Sequence, residues 1–254
     1  RSPEFQARLA QLRAATLVDY AGVAAAKFEV LALLYASFRE RHLSPDGAGA
    51  VDAAGADFLS FVAQGGEALH RHALFESLQA RFHGADSRVS GWRDWPEPFR
   101  DPAGPEVAAF AAANGERVRY HQYLQWQAAL QLERAARHAT ALGMGVGLYL
   151  DLAVSVDGNG SDAWSARDCF AAAASVGAPP DDFSLNGQDW GLPPPRPQRL
   201  RAARHRLFID TLRANMRAAG AVRIDHAMGL ARLFWIPAGR TAREGTYGHH
   251  PLQE

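Results

Sequence analysis

The chain has 254 residues, 48% of them hydrophobic and 21% charged, with Lys+Arg and Asp+Glu at 27 each. That length can bury a sizeable core, as one large domain or two smaller ones. The zero formal net charge leaves no basic excess for nucleic acid and no polybasic run for a membrane surface, so uncharged or small partners are expected.

The opening RSPEFQARLA lacks the apolar centre of a signal peptide. No run is read as reaching the roughly 18 apolar residues of a membrane span. With one cysteine, Cys169, no disulfide can form within the chain, which suits a reducing compartment; a cytoplasmic location is expected. There is no initiator Met, and polypeptide upstream of Arg1 is expected.

In chain order, residues 4–40 read as helical, with Tyr20, Val23, Ala24, Lys27, Phe28, Val30, Leu31, Leu34, Tyr35 and Phe38 mostly three and four apart. The segment 42-HLSPDGAGA-50 breaks that pattern with Pro and Gly. A second periodic stretch, 56–82, carries Phe58, Phe61, Leu69, Leu74, Phe75 and Leu78. Residues 86–105 read as a Pro-rich loop with Trp92 and Trp95 as packing anchors. Pro105 opens a short helix through Phe110, and a long helix is predicted from about 117 to 141.

The period then changes. The stretch 145-GVGLYLDLAVSV-156 reads as a strand bounded by glycines, followed by a turn and a short helix near 165–174. A loop, 177-GAPPDDFSLNGQDWGLPPPRP-197, leads to a helix at about 198–219 and a buried strand at 221–226. Leu233 to Ile236 reads as strand or helix. Helices first, then strand–helix–strand, predict an α/β fold with parallel strands. Two or three strands cannot close a barrel, so the fold is either small and mixed or part of a larger one.

The run 220-GAVRIDHAMGL-230 places Arg223, Asp225 and His226 among apolar residues. A carboxylate in a buried strand is costly unless paired or used. Arg223 and Asp225 are two apart and share a face; a guanidinium there keeps the acid ionised. The pair reads either as a structural ion pair or as a catalytic group at a strand's carboxyl end, where α/β enzymes keep their chemistry. Asp151, on the other strand, reads as a second site acid or as a satisfied polar residue. The loop 177–191 gathers Asp181, Asp182, Ser184, Asn186, Gln188 and Asp189 with Phe183 and Trp190. Carboxylates and amides suit sugar hydroxyls, and aromatic rings suit sugar C–H faces; the alternative is a turn-rich connector whose Trp packs inward. The glycines of 143-GMGVGL-148 precede a strand instead of following one, unlike a dinucleotide site. The ten histidines show no zinc-site spacing, and Ser60, Ser77 and Cys169 sit in no nucleophile motif. No metal and no cofactor are expected.

Taken together, several segments resemble the amylomaltases, the 4-alpha-glucanotransferases (disproportionating enzymes) of the α-amylase clan. They are 122-QYLQWQAALQLERAARHATALGMGVGLYLDLAVSV-156, 161-SDAW-164, 174-ASVGAPPDDFSLNGQDWGLPP-194 and 212-LRANMRAAGAVRIDHAMGLARLFWIPAG-239. The segments 19-DYAGVAAAKFEVL-31 and 91-GWRDWPEPFRDP-102 resemble a helical insertion in a bacterial branch of that family. The resemblance implies a (β/α)8 TIM barrel with a helical insertion subdomain, incomplete in this chain: residues 1–116 as the insertion and 117–254 as the central part of the barrel. It implies action on maltodextrins and other α-1,4-glucans. Asp225 would be the nucleophile and Arg223 the residue that holds it. Asp151, Trp164, Asp181, Phe183, Gln188, Trp190 and His226 would bind substrate.

Retaining transfer needs a second carboxyl about 5–5.5 Å from the nucleophile. The family supplies it from a Glu-Asp-Leu-Gly motif, with a third acid from a Thr-His-Asp motif. Neither motif occurs here, and Glu244 and Glu133 are not convincing substitutes. The expectation is therefore a transferase whose general acid is missing from this chain, leaving the chain alone inactive. The alternatives are a non-catalytic α-glucan-binding protein and a glycoside hydrolase of the same clan.

Overall fold

The computed structural model describes residues 2–43 and 51–250, so most of the expected break at 42–50 and the last four residues lie outside the described residues. The first helical stretch is two helices, α1 (Pro3–Ala14) and α2 (Tyr20–His42). Ser2 caps α1 by accepting from the Phe5 N–H, with Pro3 opening the first turn. Asp19 ends the link between the two: its side chain accepts from the Gly22 N–H at 2.9 Å and starts α2.

By length and composition α2 is apolar enough to cross a membrane, which corrects the expectation that no segment approaches a span. Lys27 and Glu29 interrupt its apolar run without making the whole helix polar. Its inner face buries Ala26, Tyr35 and Phe38, while Phe28, Leu33 and Leu34 are exposed.

The second stretch is one long helix, α3 (Ala53–Ala85), kinked at Gly66, whose φ of 51° and ψ of −140° are not helical. After two short 3-10 turns at Trp92–Asp94 and Glu97–Phe99 come α4 (Pro105–Ala113) and α5 (Gly115–Ala141). Two aromatic-rich clusters hold these helices. One joins Phe58 of α3 to Tyr35, Phe38, Tyr123 and Trp126; the other joins Leu74, Phe75 and Leu78 to Trp95, Val107, Phe110, Val118 and Trp164. Both draw on α5, so the division expected after residue 116 runs through the first turn of a helix that packs with those before it. Trp95 meets its anchoring role fully: it is buried, and its indole N–H donates to Gln79 Oε1 at 2.9 Å. Trp92 packs against the same cluster.

The strand region departs more from expectation. Strand β1 is only Tyr149–Leu152, because Gly143 and Gly147 take positive φ and close a turn before it. The next helix, α6 (Ser161–Ser165), comes earlier than predicted and is followed by a 3-10 turn at Arg167–Cys169. The Pro-rich loop is largely a hairpin: β2 (Ala174–Ala178) pairs antiparallel with β3 (Gln188–Leu192). Beyond it, α7 (Pro197–Ala202) and α8 (Arg206–Met216) replace one predicted helix, because Arg204 and His205 are left-handed. Strand β4 (Ala221–Ile224) pairs parallel with β1, as expected. Leu233–Ile236 lies in a strand, β5 (Arg232–Pro237), which pairs with β2 and with a further strand, β6 (Thr246–His249), that was not expected. The described residues thus form a two-stranded parallel sheet, β1-β4, and a four-stranded antiparallel sheet, β3-β2-β5-β6.

Candidate active site

Register brings the charged residues together. Parallel pairing sets Asp151 of β1 beside Arg223 of β4, and neighbouring side chains on adjacent strands share a face. The Arg223 guanidinium serves two acids: Nη1 donates to Asp151 Oδ2 at 2.9 Å and Nη2 to Asp225 Oδ1 at 2.8 Å. The Asp151 charge, then that of Asp225, raises the Arg223 pKa above its ordinary value.

Asp225 follows the last residue of β4, and its N–H donates to the Leu152 carbonyl at 3.3 Å, extending the pairing by one residue. His226, left-handed at φ 48°, then turns the chain away. The side chain of Asp225 is 47% exposed, so its carboxylate is open to solvent. This corrects the expectation of a buried strand: Arg223 and Ile224 are exposed as well, and the acid is tolerated because it is paired and hydrated.

The hairpin supplies the next layer. Trp190 of β3 stands edge-on to the His226 ring, with centroids 5.1 Å apart and planes at 88°, a favourable aromatic arrangement. Its indole N–H donates to Gln188 Oε1 at 2.9 Å. Gln188, Trp190, His226 and Asp225 therefore form a continuous run of contacts and chain neighbours between the two sheets.

Asp181 and Phe183 lie on the hairpin's connecting loop. Asp181 Oδ1 accepts from the N–H groups of Phe183 at 2.9 Å and Ser184 at 2.7 Å, so that oxygen shapes the loop. Phe183 is wholly exposed at the tip. From the other side, Arg243 donates to the Leu185 carbonyl and to Asn186 Oδ1, both at 3.1 Å. Sequence reasoning missed Arg243; the readable sign was the neighbouring Thr241-x-x-Glu244 capping box, which sets the turn that presents it.

One expected substrate residue is elsewhere. Trp164 is fully buried, packs on Phe75 and Trp95, and donates its indole N–H to the Phe99 carbonyl at 3.1 Å. With no exposed surface it cannot meet a sugar in this arrangement, so its role is corrected to core packing. Among the described residues no group of three or more His, Cys, Asp or Glu is arranged to hold a metal ion.

A family model described as 4-alpha-glucanotransferase, glycoside hydrolase family 77, matches residues 2–254. A Haemophilus influenzae protein named 4-alpha-glucanotransferase is 35% identical over 99% of this chain and 36% of its own length. A Mycobacterium tuberculosis protein of the same name is 43% identical over 75% of this chain and 25% of its own. The crystal structure of amylomaltase from Corynebacterium glutamicum superposes with a TM-score of 0.70 at 31% identity, covering 89% of this chain and 28% of that one. Amylomaltase from Streptococcus agalactiae in complex with acarbose shares the fold, with a TM-score of 0.76 at 21% identity, covering 92% and 45%. The chain thus spans a quarter to about a third of the length of these two curated relatives.

Proposed function

The chain belongs to the 4-alpha-glucanotransferase family, glycoside hydrolase family 77, and from that membership we propose that it carries the nucleophile half of an enzyme that transfers α-1,4-glucan segments between maltodextrins. The observation that carries the reading is the Arg223 fork between Asp151 and Asp225 at the ends of two parallel strands. Residues 1–116 serve as the helical insertion and 117–254 as the central part of a TIM barrel, with α5 shared in packing between them. A cytoplasmic location suits the single cysteine.

In this mechanism Asp225 is held by Oδ1, which leaves Oδ2 without a hydrogen-bond partner among the described residues. Oδ2 attacks the anomeric carbon of the donor glucan. The glycosidic C–O bond breaks through an oxocarbenium-like transition state while an acid protonates the leaving oxygen. The glucosyl ester on Asp225 is then displaced by the 4-hydroxyl of an acceptor glucan, whose proton returns to the same acid/base group. Arg223 keeps the attacking carboxylate ionised and oriented. Trp190 offers a ring face for a sugar, and Gln188 and His226 supply polar contacts beside it; Asp181 and Phe183 frame the loop over the sugars. Among the described residues Asp225, Arg223 and Asp151 have no hydrogen bond or ion pair to a glutamate. Glu244 is engaged with Thr241 and Arg240. We assign the second carboxyl to the part of the family's length that this chain does not span.

The test is Asp225→Asn in the full-length enzyme. Maltotriose disproportionation is expected to fall on the order of 10^4-fold or more, with maltooligosaccharide affinity kept within about threefold. Undiminished transfer by this variant overturns the nucleophile. Glucose and maltose release without longer products indicates a hydrolase; binding without turnover in the parent protein indicates a glucan-binding protein.

A further inference from the structure

Apart from the Asp225 site, a cleft of about 440 Å³ is lined by Trp92, Arg93, Arg167, Asp168, Phe170 and Arg196 with a short run of alanines. That volume lies within the range of small-molecule sites. Its polar lining is one-sided, with three guanidinium groups to one carboxylate.

The three arginines differ in how firmly they are held. Arg93 donates to the Gly158 carbonyl, bonds to Asn159 Oδ1 at 2.9 Å, and stacks 4.7 Å from the Trp92 ring centroid. Arg167 pairs with Asp101 at 3.0 Å and donates to the Arg100 carbonyl at 3.2 Å. Arg196 is fixed only by its backbone, whose N–H donates to the Cys169 carbonyl at 2.7 Å; its guanidinium has no hydrogen bond or ion pair among the described residues. Among the described residues Arg93 and Arg196 thus have no acidic partner. Two cations are ordered in advance and a third is free to close on a ligand, which lowers the ordering cost of binding an anion.

The surroundings reinforce the sign. Residues 196–217 carry Arg196, Arg199, Arg201, Arg204, Arg206, Arg213 and Arg217 against one acid, Asp210. Asp210 is already shared by Arg206 and Arg213. Of this run Arg196 lines the cleft, and a cation excess along the segment that leads to it favours small anions. The floor is apolar: Phe170 is buried and Trp92 half-buried.

We propose that this cleft binds a phosphorylated sugar, with the guanidinium groups taking the phosphate and the Trp92–Phe170 floor taking the sugar's C–H face. The site contains none of the residues assigned to glucan transfer and stands independently of that reading.

Titration calorimetry on the 254-residue chain with glucose 6-phosphate, inorganic phosphate and glucose tests it. Glucose 6-phosphate is expected to bind, inorganic phosphate about tenfold more weakly, and glucose not measurably. Raising salt to about 0.5 M is expected to weaken binding several-fold. Arg196→Gln is expected to lower glucose 6-phosphate affinity about tenfold with an unchanged melting temperature, since its guanidinium holds nothing in the fold; Arg196→Lys is expected to fall between. The proposal is overturned if glucose binds as tightly as its phosphate, if inorganic phosphate matches glucose 6-phosphate, if Arg196→Gln binds like the parent, or if no ligand binds at about 10 mM, weaker than a millimolar affinity.

Discussion

Arg223 divides its two terminal nitrogens between Asp151 and Asp225, and in the proposed mechanism this division leaves Oδ2 of Asp225 as the attacking oxygen. A lysine could meet one acid as a point charge, but it lacks the planar fork that meets both. The tryptophans sharpen the same distinction between holding and binding. Trp164 and Trp190 both lie in segments that resemble the family, yet one is sealed in the core and the other stands beside His226. Trp164→Ala is expected to destabilise the chain by about 3–5 kcal/mol, seen as a lower denaturant midpoint. Trp190→Ala is expected to leave that midpoint nearly unchanged and to raise KM for maltotriose in the full-length enzyme roughly tenfold.

Among the elements, α3 bends at Gly66, where a Cβ would meet nothing within 4 Å but the backbone is left-handed in φ. Gly66→Ala is therefore expected to cost about 1–2 kcal/mol through conformation alone. Gly84→Ala, equally open and without a positive φ, is expected to be neutral or to stabilise by about 0.5–1 kcal/mol; urea titrations of both variants check the contrast. On α5, His121 is buried, and burial, with Arg117 and His72 adding to it, pulls its pKa from 6.5 to about 4. The fold thus holds the neutral ring. Its contribution is complete above pH 6.5 and declines as pH falls toward 4, by about 2 kcal/mol at pH 5. His121→Gln is expected to flatten that part of the stability profile.

The helices were largely legible because their apolar spacing is strong; their breaks were less so, because single residues such as Asp19 and His205 decide them. The hairpin was hidden. Its strands are five residues each with a glycine in both, and prolines follow each one; pairing with the distant β5 supplies support that composition does not signal. The meeting of Asp151 with Arg223 was not readable as spacing, since the two lie 72 positions apart and only register joins them. Trp164 was misassigned because a motif residue carries no label for depth.

For the molecule as a whole, the chain alone is expected to show no maltotriose disproportionation, because retaining transfer needs a second carboxyl close to the first and among the described residues Asp225 is paired only with Arg223. Product analysis of the 254-residue chain beside the full-length enzyme checks this; transfer by the chain alone would require an acid/base group within it. Trp190 of the hairpin meets the His226 ring and Gln188 beside the Asp225 turn.

The antiparallel sheet is stitched from segments on both sides of β4. β2 and β3 precede β4 in the chain, β5 and β6 follow it, and β2 pairs directly with β5. That pairing closes a loop around α7, α8 and β4, so the segment bearing Asp225 is tethered at both ends before any ligand arrives. Closing a loop removes freedom from everything inside it. Damage to a β2–β5 rung far from any carboxylate would thus loosen the aim of Asp225 without touching it.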